Sequence, residues 1–357
     1  MALNEPFIKG TCENMCPEKE IKFREKEGLL HPFEIMRSSE KTVRLKADPA
    51  RTVKKYARSA AGQSMPKPSD LRTPQALKKT VSYLLNNITI MENCNWCTVY
   101  DFVFDRLCAV RQDAVIQHLD VTHSIDIMKP VVRFLTYAGY RMCEESLQKY
   151  DPAINFHHFT ECLRKLLNLY EQFDYENIPT ESNYSCVCER SQFEALYLVT
   201  FLGNVDAISR GLMLKKELRS PVVNLALQLS IAYFGGNYIR VCRMIRNLPP
   251  LLQCSVALLL PNIRRNALLT MSSAFSGRNL QYPASALKTE LLFEKENQVI
   301  DECLYYGIKV QEKNILFQKG VFKTETAVRP LNHQLFVDEA LESCRLSDLL
   351  LKCSHHC

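Results

Sequence analysis

The stretch Leu225–Leu248, "LALQLSIAYFGGNYIRVCRMIRNL", decides the fold. Apolar side chains recur every three or four residues up to Phe234, the pair Gly235-Gly236 stops the run, and a second run at helical spacing begins at Asn237-Tyr238. Helix, glycine turn and helix is the layout of a helical hairpin of the tetratricopeptide kind. No fixed period runs along the whole chain, so the hairpin implies helix-on-helix packing rather than a regular solenoid.

The same period extends outward. Asp48-Pro49, Thr73-Pro74 and Ser220-Pro221 each place a capping side chain before a proline at a first helical position, where the missing N–H costs nothing. After Thr73, the residues Leu77, Val81, Leu84, Leu85 and Ile88 form one apolar stripe. Asn93–Leu119 continues in this manner, with Phe102, Leu107, Val110, Ala114 and Leu119 facing inward, and helices are expected over Phe159–Phe173, Glu189–Leu202, Val205–Leu218, Val222–Phe234 and Asn237–Leu248. Beyond Pro261 the pattern changes. A helix at Asn262–Phe275 precedes a short extended stretch, Asn279–Pro283, and two helices, Ala284–Phe293 and Glu294–Tyr305. Ile308–Lys323 then alternates and turns at Glu312–Asn314, with Ile315, Phe317, Val321 and Phe322 as strand residues. That order is a winged-helix arrangement.

At 357 residues and 46% hydrophobic, the chain has enough apolar mass for one large core or two smaller ones. Its 15 Cys, an odd number without a disulfide framework, imply reduced thiols and an intracellular setting. Glu5 and Pro6 fall where a secretion signal needs its apolar core. The longest apolar runs, Val222–Phe234 and Cys254–Pro261, are short of the roughly 20 residues of a membrane helix, so no membrane insertion is expected. The net charge of +6 is local: Met36–Lys79 holds twelve Lys and Arg against three acids, leaving the rest of the chain at −3. This stretch is either a surface for phosphate or an acidic partner, or a solvated face. If Asp48 starts a helix, Lys54, Lys55 and Arg58 share one positive face.

Cys12 and Cys16 have no second close pair at a zinc-finger distance, Cys94 and Cys97 fall on an expected helix, and Cys353, His355, His356 and Cys357 crowd the terminus. No metal and no cofactor is expected. Phosphate loop, nucleophile elbow and HExxH helix are all missing from the sequence, so neither an enzyme nor a small-molecule substrate is expected.

The string "GTCENMCPEKEIKFREKEGLLHPFE" at 10–34 resembles the opening motif of the GANP (Sac-three and germinal-centre-associated nuclear protein) family, matching at Gly10, Cys12, Met15, Cys16, Pro17, Glu20 and Arg24. The resemblance continues in "ADPARTVKKYARSAAGQ" (47–63), "LRTPQALKKTVSYLL" (71–85) and "VYDFVFDRLCAVRQD" (99–113), the last through Tyr100, Asp101, Phe102, Arg106, Arg111, Gln112 and Asp113. It implies a mainly α fold: a helical-repeat, tetratricopeptide/PCI-like body followed by a small winged-helix domain. The expected organisation is an arm at 1–35, a basic segment with a short helix at 36–72, the repeat body at 73–254, the winged helix at 255–326 and a tail at 327–357.

The resemblance further implies a scaffold, in nucleus and cytoplasm, that pairs with another PCI-domain protein and a small acidic subunit in transcription-coupled messenger RNA export. The long members' phenylalanine-glycine repeats and long helix after the winged helix are missing here. The length is similar to that of the family's short branch, which implies the alternative of centrosome duplication, spindle assembly and cell division.

Three readings of side chains accompany this. Met15 and Cys16 should fill apolar pockets while Lys19, Glu20, Arg24 and Glu25 make polar contacts, and Leu29, Leu30, Phe33 and Ile35 are too apolar to stay in water. Arg106 and Arg111 should pair with Asp101, Asp105 or Asp113. In the second winged-helix helix, Glu294, Glu296, Asp301 and Glu302 outnumber Lys295 and would repel phosphate, so either protein pairing through the apolar side of the wing or phosphate contact with RNA or DNA from Arg264, Arg265, Lys319 and Lys323 is expected instead.

Overall fold

The computed structural model describes residues 7–36, 45–58, 65–92, 94–176, 184–277 and 279–352. Arg37, Lys41 and Arg44 of the basic stretch and the terminal Cys353, His355, His356 and Cys357 lie outside them. The chain is mainly helical and forms two compact units. One comprises Met1–Leu135, His158–Pro179 and Leu346–Lys352; the other comprises Thr136–His157, Thr180–Arg345 and Cys353–Cys357.

The first unit contains α1 (Glu18–Lys26), α2 (Pro74–Tyr83) and α3 (Trp96–Ile116), with parts of α4 (Val121–Arg141) and α5 (Pro152–Glu176). The expected cap at Thr73 forms: its hydroxyl accepts from the Ala76 amide at 3.2 Å, ahead of Pro74. The stripe Leu77, Val81, Leu84, Leu85 and Ile88 is buried, and α2 runs on into a π-turn at Leu84–Ile88. Asn95 caps α3 through the Cys97 amide, and Phe102, Leu107 and Val110 point inward while Ala114 and Leu119 are half-buried. Trp96 and Tyr100 stack on Phe134.

Asp48 does not start a helix. Its carboxylate accepts from the Ala50 amide at 2.9 Å and closes one turn, and the chain from Thr52 to Arg58 then runs without helix. The reason lies in where the backbone groups go: the Val53 amide bonds Glu34, the Lys54 amide bonds the Met15 carbonyl and the Lys55 amide bonds Glu20. The short helix of the 36–72 segment is instead a 3₁₀ turn at Pro68–Asp70.

The second unit contains α6 (Tyr184–Thr200), α7 (Val205–Met213), α8 (Pro221–Phe234), α9 (Tyr238–Ile245), α10 (Pro250–Ala257) and α11 (Leu260–Ala274). Ser220 caps α8, which packs on α6, α7 and α9. The turn after α8 works as its sequence implies: Gly236 has φ +71°, a conformation that penalises a Cβ, and the Asn237 side chain accepts from the Arg240 amide to start α9.

After α11 come β1 (Tyr282–Pro283), α12 (Ala284–Glu290), α13 (Glu296–Tyr305), β2 (Lys309–Gln311) and β3 (Asn314–Leu316). The antiparallel sheet has the order β1-β3-β2, with Tyr282 and Val310 flanking the fully buried Ile315. Glu312 and Lys313 form the hairpin turn at φ +49° and +68°. Phe317 and Phe322 are buried beyond the strand, whereas Val321 is half-buried.

The region 327–357 is not only a tail: α14 (Leu335–Glu342) packs on α10, and α15 (Leu346–Leu351) belongs to the first unit. The Tyr140 hydroxyl fixes the start of α14, donating to the Asp338 carboxylate at 2.9 Å and accepting from the Gln334 amide at 2.7 Å. Among the described residues, no helix is long and apolar enough to cross a membrane.

Candidate functional site

The motif segment is built into the first unit by hydrogen bonds to α3 and to the residues before α2. Gly10 donates its amide to Gln117 Oε1 at 2.8 Å, Cys12 bridges Arg72 in parallel, and the Thr73 amide bonds the Cys12 carbonyl at 2.9 Å. Met15, Cys16 and Pro17 are buried, and Pro17 precedes α1. Burial pushes the Cys16 thiol up, which makes it an inert apolar filler rather than a nucleophile. Of the four apolar residues after α1, Phe33 is buried against Phe102, Leu30 and Ile35 are half-buried, and Leu29 stays 57% exposed on the turn at Gly28.

Two buried carboxylates hold this arm. Glu34, fully buried, takes Arg24 Nη2 on one oxygen and Arg106 Nη2 at 3.2 Å on the other, with the Val53 and His31 amides each at 3.1 Å. Burial raises its carboxyl, yet Arg106, Arg24 and the two amides outweigh that and hold it below the usual range. Asp113, also fully buried, takes Arg72 Nε at 2.8 Å and Lys54 Nζ at 2.7 Å. Arg24 additionally donates to the Val53 carbonyl, and Arg72 reaches the Met15 carbonyl at 3.5 Å. Arm, the segment at 52–58, α2 cap and α3 are thus joined by charge-assisted hydrogen bonds.

The pairing the sequence implies holds in part. Arg106 does meet Asp105, but its second partner is Glu34; Arg111 lies 3.3 Å from Glu161 and from His158 Nδ1; Asp113 faces Arg72. Glu20 and Glu25 make their expected polar contacts, to the Lys55 and Ala47 amides, whereas Lys19 is exposed. Sequence reasoning did not single out Glu34 and Arg72. The available signal was their position: Glu34 closes the motif string, and Arg72 stands directly before the Thr73 cap.

The candidate nucleic-acid contacts do not form one patch. Lys54 is spent on Asp113 and the Asp70 carbonyl, while Lys55 and Arg58 are exposed. Arg264 is 9% exposed and donates to the carbonyls of Leu291 and Leu292 and to Gln334, so it is a buried structural cation, not a phosphate contact. Arg265 donates to the Thr324 carbonyl and lies over Phe322; Lys319 and Lys323 are exposed. On α13, Glu302 turns inward at 7% exposure, Glu296 is half-buried and Asp301 faces outward, while Glu294 is exposed just before the helix. No group of three or more metal-ligating side chains is brought together among the described residues.

The SAC3/GANP family model matches residues 15–312. The chain belongs to the SAC3/GANP family. It is similar to the Drosophila melanogaster protein named "Protein xmas" (24% identical, covering 92% of this chain and 16% of that one). It is also similar to "SAC3 family protein 1" of Schizosaccharomyces pombe (27%; 96% and 34%) and "SAC3 family protein B" of Arabidopsis thaliana (26%; 88% and 19%). The chain therefore spans between about a sixth and a third of the length of these relatives. Within the matched span, Arg24, Glu34, Arg72, Arg106 and Asp113 make up a two-centred clamp that fixes the arm.

Gly10, just ahead of the matched span, shows how closely the arm lies. A Cβ there would stand 2.6 Å and 2.8 Å from the carbonyl oxygens of Leu71 and Arg72 and 2.7 Å from Gln117 Oε1. Two of these are backbone, so Gly10→Ala should destabilise by about 1–3 kcal/mol, read as a lower urea midpoint at unchanged slope.

Proposed function

We propose that this chain is a non-enzymatic scaffold that binds a PCI-type protein in a transcription-coupled messenger RNA export complex, acting in the nucleus and cytoplasm. The carrying observation is that Arg24, Glu34, Arg72, Arg106 and Asp113 turn into the fold and order it, as suits a protein whose output is surface rather than catalysis. Family membership supports the export role. The order α11, β1, α12, α13, β2, β3, with its β1-β3-β2 sheet, supports a winged helix after helical hairpins of the PCI kind.

The acidic outward side of α13 favours protein pairing over base reading there, and Lys55, Arg58, Lys319 and Lys323 supply whatever phosphate contact the complex makes. The test is affinity purification of a tagged chain with localisation through the cell cycle. Recovery of a PCI-domain protein with nuclear signal is expected. Signal confined to centrosomes and spindle, without such a partner, would overturn the export role in favour of cell division.

A further inference from the structure

The first unit holds a pocket of about 190 Å³ between the C-terminal end of α3, the first half of α4 and α5. Its floor is apolar: Ile127 and Met128 are buried, and Ala114, Leu119 and Leu169 are half-buried beside them. The polar groups at the end of α3 are already paired. His118, at φ +46°, closes the helix, so that its amide bonds the Val115 carbonyl at 3.1 Å and the Leu119 amide bonds the Ala114 carbonyl at 3.2 Å. The Ser124 hydroxyl donates to the Leu119 carbonyl at 3.2 Å. Water held in such a place needs at least two polar partners, so an apolar group is the favoured occupant of the floor.

The rim carries charge of one sign. Arg111 and Lys165 line the pocket and no acid does. Arg111 is shared between Glu161 and His158, each at 3.3 Å, and Asp120, the acid between α3 and α4, is taken by His123 at 2.5 Å. Lys165 is exposed one turn beyond Glu161, and its ammonium has no ion-pair partner among the described residues. A carboxylate is therefore welcome at this rim, and an ammonium or guanidinium is repelled.

The apolar surface also continues outside the pocket. Val115, on its lip, is 51% exposed, and the Phe7 ring, 63% exposed, lies 4.1 Å from the ring of His118, which lines the pocket. A small molecule in the floor would leave both in water, whereas a chain segment lying across the opening covers them. We propose that this face docks a short acidic and apolar segment of a partner protein, with one large apolar side chain in the floor and, within about one helical turn of it, a carboxylate on Lys165. The site is read from the first unit's own chemistry and stands apart from the export reading.

The test is fluorescence anisotropy on the full chain with three labelled, end-blocked hexapeptides: Glu-Leu-Glu-Phe-Glu-Leu, the same with Lys for each Glu, and the same with Ser for each Leu and Phe. The first should bind, and the other two should bind about tenfold more weakly or less. Lys165→Glu, at an exposed position, should invert the order of the acidic and basic peptides, and Val115→Asp should remove binding, with circular dichroism checking the fold of each variant. Equal binding of acidic and basic peptides, or an order unchanged in Lys165→Glu, overturns the site. Displacement by octanoate at lower concentration than by the unlabelled first peptide overturns the protein source in favour of a free aliphatic acid. About tenfold tighter peptide binding after deletion of residues 1–6 overturns it in favour of the chain's own first residues.

Discussion

Glu34→Ala should cost about 3–5 kcal/mol of stability, because it leaves the Arg24 and Arg106 guanidiniums buried with their shared carboxylate gone. The Val53 and His31 amides lose their acceptor as well, which places the effect at the upper part of that range. Urea unfolding with the slope held constant reads it directly. The same group carries a pH signature. Its folded value lies below the ordinary 4.5, so its contribution is fully present above that value and is lost as pH falls through the lower folded value. Wild type should therefore lose stability on acidification in that window, and Glu34→Ala should lose less over it.

Asp113→Ala should come close in size. It strands Arg72, whose side chain is fully buried, and Lys54, whose side chain is 14% exposed. Lys54 can turn toward water more readily than Arg72, so the loss is expected at about 3 kcal/mol rather than 5. The Glu34 and Asp113 centres both reach the 53–54 segment, through the Val53 amide and the Lys54 ammonium. The double variant should accordingly be less destabilised than the sum of the two, since losing either centre already frees part of that segment.

Much of the fold was legible where a local rule and the tertiary structure agree. Thr73-Pro74, Ser220-Pro221 and the Gly-Gly turn all act as their chemistry implies, and the hairpin at Glu312–Asn314 forms where alternation breaks. Asp48-Pro49 carries the same local signal and fails, because long-range partners from the arm claim the backbone that a helix would use. Helix α4 was missed although Val121, Ile125, Met128, Val132 and Leu135 stand at helical spacing; only its second half, buried throughout from Pro130 to Tyr140, lacks a polar face to set the period. At six and eight residues, α15 and α14 are too short to show one.

The clamp was half legible. The motif strings contain its members, but Glu34 and Arg106 pair across 72 residues, and no spacing rule reaches that far. Lys54 and Arg264 illustrate the converse: each reads as a surface cation in sequence and is internal in the fold.

The most direct test is native-state hydrogen exchange on the full chain, comparing the amides of Cys12 and Leu29 in the arm and of Lys54 beside it with those in the middle of α3. These amides are bonded to Leu71, Arg24 and Met15 carbonyls respectively. If the motif is a clamp, Cys12 and Lys54 should exchange with the same opening free energy as α3, and both sets should fall together in Glu34→Ala. Arm amides that exchange at unfolded-chain rates while α3 stays protected would show a detachable segment, and would contradict a structural role for the family motif.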